Sequence, residues 1–227
     1  MVGVQGGRRR GAAAAVTREQ IVDVADAIAR REGLERVTVR RVSADIGVTP
    51  AALYWHLDAK RDLLSALVDR ASERTERPGP EFGHWIDRLV HFYLSTREQF
   101  TACQGLSRAL MSVEPSDATM RNCLYVYELL TAVGFDEQSA IDLFDALNTL
   151  SWGHLMILDM ARVNAAQMRP QAVAQYANWV RGVLADSPEY AVFVRSLSEF
   201  NDERSRRQLV NGIEMLARAA AADAGIA

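Results

Sequence analysis

The residues with the most to offer chemically are concentrated in one stretch, 38–60, reading TVRRVSADIGVTPAALYWHLDAK. The chemistry they suit is recognition of a duplex rather than bond making. Small methyls at Ala51 and Ala52 can approach thymine methyls in a major groove, and a Thr or an Arg can read base edges. Tyr54, His56 and Lys60 can hold phosphates and fix the register. Trp55 sets an indole beside the phenol. The same positions on a surface helix of an ordinary enzyme would carry Glu, Lys and Gln. The plainer alternative for each aromatic is packing at the edge of a core.

Such a set needs a scaffold, and the flanking residues supply one. Thr38 is a good N-cap, and Val39, Val42 and Ile46 follow it on one narrow apolar face. Gly47 stops that helix, Thr49 caps the next, and Pro50 takes its first position, where a missing N–H costs nothing. Leu53 and Leu57, four apart, pin the second helix to its neighbours. The spacing predicts a helix-turn-helix over 38–57, with the N-terminal end of its second helix facing the bases.

Around this motif the pattern is helical throughout. Thr17 and Gln20 form a capping box for a helix over 17–31, striped with Ile21, Val22, Ala25, Ile28 and Ala29 and ended by Gly33. Asp58 should cap a fourth helix running to 74. Lys60 and Arg61 in its first turn oppose the helix dipole unless a phosphate binds there. Pro78-Gly79-Pro80 is the clearest boundary and reads as a flexible joint. Further helices are expected over 83–98, 101–111, 117–133 and 136–162, from Pro170, over 188–200 and over 202–222. No alternating strand pattern occurs, so the fold class is all-α. The organisation expected is a basic arm over 1–15, a small head over 16–77 and a larger helical body over 81–222. The arm is either a disordered tail or a non-specific attractor of phosphate.

Charge divides along the same line. Residues 1–77 carry 14 basic and 11 acidic side chains, net +3; residues 78–227 carry 12 and 18, net −6. That suits a DNA-contacting head on an acidic body. Catalytic and metal chemistry find little support. His56, His84, His91 and His154 have no metal-ligand spacing, and no Gly-rich phosphate loop, HExxH or GxSxG occurs. Asp142, Asp145 and Asp159 read as a solvated helix face. No catalytic residue, metal site or cofactor is assigned. Cys103 and Cys123 are too few for a disulfide framework and read as buried thiols. No apolar run approaches the ~18 residues of a membrane span, and nothing suggests export, so a cytoplasmic location is expected.

The stretch over 17–75, with VTVRRVSADIGVTPAALYWHL followed by AKRDLLSAL, resembles the tetracycline-repressor family of bacterial transcription regulators. More weakly, FDEQSAIDLFDALNTLSWGHL and RQLVNGIEMLARA resemble the dimerisation helices of that family's C-terminal domain. The resemblance implies a base-reading Arg40. It places Thr49, Pro50, Ala51, Ala52, Tyr54 and Trp55 on the groove side, and Val39, His56 and Lys60, beside the cap Thr38, at the phosphates. It implies a homodimer whose heads meet successive major grooves of a palindromic operator. Helices 136–162 and 202–222 would join it, with Ala146, Gly153 and Gly212 permitting close approach and Leu209, Ile213 and Leu216 forming the seam. It also implies a small-molecule effector in the body. Trp85, Phe92, Tyr125, Asn148, Trp152, His154, Met156 and Trp179 are the candidate contacts, each with plain core packing as the alternative. The family's metal-associated histidines find no counterpart, so the effector expected is larger, more apolar and metal-free. The alternatives are a DNA-binding accessory protein without an effector, or a helical enzyme.

Overall fold

The computed structural model describes residues 16–56, 60–167 and 201–226, and between the last two Gln175, Asn178, Trp179, Arg181 and Gly182. Every regular element among the described residues is helical. Helix α1, Arg18–Glu32, starts as its sequence dictates: the Thr17 hydroxyl accepts from Gln20 N–H at 3.2 Å, and the Gln20 side chain accepts from Thr17 N–H at 3.1 Å. A reciprocal cap of this kind contributes about 1 kcal/mol. Gly33, at φ 89°, turns the chain into a 3-10 segment, Leu34–Arg36. Then come α2, Val39–Ile46; α3, Pro50–Tyr54; and α4, Lys60–Arg74. Leu57 and Asp58 lie outside the described residues.

The core of this part joins Ile21, Ala25, Ile28, Val37, Val42, Leu53, Leu63 and Leu67. It does not stop at α4. Phe100, Cys103, Leu106, Ala109 and Leu155 belong to the same buried cluster. The segment beyond α4, expected as a joint, is hydrogen-bonded to the helices that follow it. The Pro78 carbonyl accepts from the Tyr125 hydroxyl at 2.8 Å and from Arg88 Nε at 3.1 Å, and Glu76 N–H donates to the Ser95 hydroxyl at 2.8 Å.

The remaining helices are α5, Trp85–Thr101; α6, Leu106–Leu110; α7, Asp117–Val133; α8, Glu137–Gln167; and α9, Asp202–Ala224. A helix expected over 101–111 is cut short because Gly105, at φ 92°, is left-handed and cannot continue one. The helices expected from 170 and over 188–200 lie outside the described residues, apart from the helical positions 175, 178, 179, 181 and 182. A second core gathers Trp85, Leu89, Phe92, Tyr93, Leu130, Leu147, Leu209 and Ile213. Helix α9 lies on α5 and α8 of its own chain. A Cβ added at Gly212 would stand 2.8 Å from Leu150 Cδ2, so this glycine permits close packing within one subunit. Leu209 and Ile213, 1% and 0% exposed, are likewise internal and not a seam between subunits. The reason is periodic: Ser205, Leu209, Ile213, Ala217 and Ala221 form the most apolar row of α9, and that row faces inward. No helix among the described residues is long and apolar enough to cross a membrane.

Candidate functional site

Local chemistry builds the exposed face of α2 and α3. The Thr38 hydroxyl accepts from Arg41 N–H at 3.1 Å, opening α2. Gly47 closes it at φ 85° and ψ 30°, with its N–H and that of Val48 both donating to the Ser43 carbonyl at 2.9 Å. Thr49 then accepts from Ala52 N–H at 3.3 Å, and Pro50 fills the first turn of α3. Leu53 is fully buried and acts as the nail of this short helix. Everything around it points outward. Tyr54 is 56% and Trp55 88% exposed, and Thr49, Pro50, Ala51 and His56 are also exposed, with Ala52 half-buried. An indole left so wet is costly unless a partner covers it. Trp55 and His56 follow the last helical residue, in the closing turn.

Two adjacent arginines behave differently. Arg41 is tied to Asp45 at 3.0 Å and Glu32 at 3.1 Å, whereas Arg40 is exposed and enters none of the ion pairs among the described residues. Arg40 is therefore the cation available to an outside acceptor. The Val39 side chain packs on the head's core, so what it can offer a phosphate is its amide at the start of α2. Lys60 begins α4, but its side chain lies outside the described residues.

In the body, Phe92, Asn148 and Trp152 meet around a cavity, together with Tyr93, Thr96, Phe100, Leu110, Cys123 and Ser151. Ser72 reaches it from α4, and Thr119 and Asn122 from α7. The gap between the atoms is about 440 Å³, but the centre of a water molecule can occupy only about 40 Å³ of it. Its aromatic walls are braced: Trp152 meets Phe100 edge-on at 5.5 Å, and Phe92 leans on Tyr125 at 5.1 Å. Its polar groups are mostly engaged. Tyr93 donates to Asn148 Oδ1 at 3.3 Å, and Asn122 is held between Arg77 at 2.6 Å and the Ser72 carbonyl at 3.0 Å. The Ser151 hydroxyl, on a residue 1% exposed, has no partner. No charged side chain lines the space. Burial raises the pKa of the Tyr93 hydroxyl and the Cys123 thiol, so both stay protonated and the cavity stays neutral.

The other candidate contacts lie elsewhere. Tyr125 stands behind Phe92 with its hydroxyl on Pro78. Trp85 packs against Phe135 at 5.7 Å in the second core, with its indole N–H unpartnered. His154 belongs to a polar knot: its Nε2 lies 3.1 Å from the Ser205 hydroxyl and 3.4 Å from Arg97 Nε, and Arg97 in turn binds Asp202 at 2.5 Å. Burial, and then the Arg97 cation, lower the pKa of His154. Met156 is half-buried on α8 and is not a wall of the cavity. Trp179 is 57% exposed and is not one either. Ser72 and Ser151 were not foreseeable, because nothing in a helical pattern separates a small polar residue facing a cavity from one facing water. Among the described residues no group of three His, Cys, Asp or Glu is placed to hold a metal ion.

Along the outer side of α8 and α9, Ile141, Ile157, Met160 and Met215 remain exposed, and Gly153 faces open space. Leu216 and Ala146 line a groove between the two helices.

Residues 21–67 match the family model described as bacterial regulatory proteins, tetR family. The HTH-type transcriptional repressor DrrR1 of Streptomyces coeruleorubidus is 38% identical over 74 residues, 32% of this chain and 27% of that one. The class A tetracycline repressor protein from transposon 1721, of Escherichia coli, is 30% identical over 122 residues, 53% of this chain and 55% of that one. The matches span 27% and 51% of the first two curated relatives. Among solved structures, apo ActR from Streptomyces coelicolor superposes with a TM-score of 0.75 at 23% identity, over 94% of this chain and 99% of that one; ActR has also been solved in complex with actinorhodin. The capped turn and the outward aromatic face fall within the segment that is similar to the tetR family of bacterial regulatory proteins, and the fold as a whole is similar to that of ActR.

Proposed function

We propose that this chain is a homodimeric DNA-binding transcriptional regulator, a repressor released from a palindromic operator by a small neutral effector. The observation that carries the reading is the face of α3. A five-residue helix closes on one buried leucine and leaves Tyr54, Trp55 and His56 in water, and the helix before it carries the exposed Arg40. In this reading Arg40, Thr49, Pro50, Ala51, Ala52, Tyr54 and Trp55 meet bases. Thr38, Val39, His56 and Lys60 meet phosphates. Residues 16–77 act as the DNA-binding head and 81–222 as the effector-binding and dimerisation body. The basic arm over 1–15 adds phosphate attraction. The exposed side of α8 and α9, not their inward row, is the surface left for a second subunit.

The cavity supports the effector half of the proposal and narrows its chemistry. Aromatic walls, an unpaired hydroxyl and no charge suit a planar, uncharged molecule with an oxygen or nitrogen to offer Ser151 and Asn148. ActR, solved with actinorhodin, shares this fold. The effector must widen the space, since few water molecules fit as it stands. That narrowness favours a second reading, an accessory DNA-binding protein with no effector. The relatives matched are named as regulators, and the chain is read as a non-enzyme acting on DNA in the cytoplasm.

The test is a gel shift with duplexes selected from random-sequence DNA. The expected result is retarded DNA whose affinity falls steeply with salt. Arg40→Ala and Tyr54→Ala should each weaken binding by about 1–3 kcal/mol with an unchanged melting temperature. Wild-type affinity in both variants would remove α3 from the interface. A panel of uncharged polycyclic aromatics, none of which releases the duplex, would favour the effector-free reading.

A further inference from the structure

Asp159 sits where the sequence pattern places a solvated carboxylate, yet it is only 4% exposed. One of its oxygens accepts from Gly105 N–H at 2.8 Å. The other has no hydrogen bond and faces Arg108 Nε at 3.4 Å. A carboxylate so placed is expensive to desolvate, and apolar residues of similar volume often replace buried ion pairs at no cost. Stability does not explain it; what it holds does.

The group it holds is the α5–α6 turn. Gly105 is left-handed, at φ 92°, and its amide is aimed at α8. The residue before it, Gln104, accepts from Leu34 N–H at 2.9 Å. A Cβ at Gly105 would approach Leu34 Cβ to 3.3 Å, so the turn and the 33–36 loop lie in direct contact. Arg108 spans the same gap, 3.4 Å from Asp159 and 3.9 Å from Glu35. Leu34 lies four residues before Thr38, the cap of α2. The head is thus attached to the body twice, through α4 and through this turn. A single helical attachment would leave rotation about its axis; a second, off-axis one removes it.

We infer that Asp159 is a positioning residue for the DNA-facing head. Through Gly105 and Arg108 it clasps the α5–α6 turn against the Leu34 loop and so sets the angle at which the head leaves the body. This rests on the DNA-binding reading above. It also gives α8 a route to the head separate from α4. Ser151 and Trp152 line the cavity on the same helix, roughly 12 Å along its axis from Asp159. Leu155, between them, is buried in the head's own cluster. A molecule that moves α8 therefore moves the clasp.

The experiment uses the full chain with Asp159→Ala, and Arg108→Gln at a side chain 46% exposed. One arm follows amide hydrogen exchange. The other compares affinity for a duplex bearing both half-sites, recovered by selection with the wild-type protein, with affinity for one isolated half. Asp159→Ala is expected to speed exchange at Gly105 and Leu34 and to weaken the two-half-site complex on the order of tenfold. The single half-site, gripped by one head, should lose nothing. Arg108→Gln should repeat this in smaller degree, and it carries the test if the alanine variant does not fold. Unchanged exchange at Leu34, or equal loss on both duplexes, overturns the inference. If the wild-type protein selects no DNA, the DNA-binding reading fails, and the exchange arm still decides whether the clasp exists.

Discussion

The chain displays aromatic side chains in two opposite ways. At the end of α3, Tyr54 and Trp55 stand in water on a short helix fixed by one buried leucine and one capping threonine. In the body, Phe92, Phe100 and Trp152 close over a space that admits little water. The first arrangement suits a large rigid partner that cannot reshape itself, so the surface is finished beforehand. The second suits a small partner that is enclosed on binding, so the site stays narrow until something enters. Pre-formed display costs exposed apolar surface; a narrow, mostly apolar cavity costs an unsatisfied hydroxyl at Ser151.

Three substitutions press on this contrast. Leu53→Ala should have the largest effect, a loss of about 2–5 kcal/mol in urea unfolding with the head no longer ordered. Trp55→Ala beside it should stay within about 0.5 kcal/mol. A comparable loss in both would show that the indole is structural, and the display reading would fall. Ser151→Ala should raise stability by about 1 kcal/mol, because it removes a buried hydroxyl that has no partner. A loss instead would mean that the hydroxyl is bonded in solution, and the cavity would be less ready for a ligand than it looks.

The smallest effect is in the pH dependence. His154 is held below its ordinary pKa of 6.5 by burial and by Arg97, with Asp202 opposing. The unfolded chain therefore takes up the proton first as pH falls. Stability from this group is full above about pH 6.5 and is lost as the pH drops through and below that value. The denaturation midpoint should fall from pH 7 to about 5, and His154→Gln should flatten that slope relative to the parent. Identical slopes would detach His154 from the linkage.

Much of the head was legible because its logic is local. Thr17, Thr38 and Thr49 each cap the helix that follows them, and Gly47 needs its left-handed backbone whatever surrounds it. The body was legible as helices but not as faces. Asp142 and Asp145 are exposed as the pattern suggests, while Asp159 on the same helix is buried because the α5–α6 turn covers that end. Leu209 and Ile213 looked like a seam for a second subunit, and α5 and α8 of the same chain take them up first. Phe92, Asn148 and Trp152 do meet around one space, but Ser72 arrives there from α4, a juxtaposition no periodicity encodes.

Gly212 has a bearing on how any change of shape could be shared out. Because no methyl intervenes, α9 seats so tightly on Leu150 that the pair should behave as a single plank. A dimer built on such planks inherits a stiff frame. On the proposed reading, the give needed to spread or close a pair of DNA-reading ends must then come from elsewhere, as where α4 packs on α6 and α7.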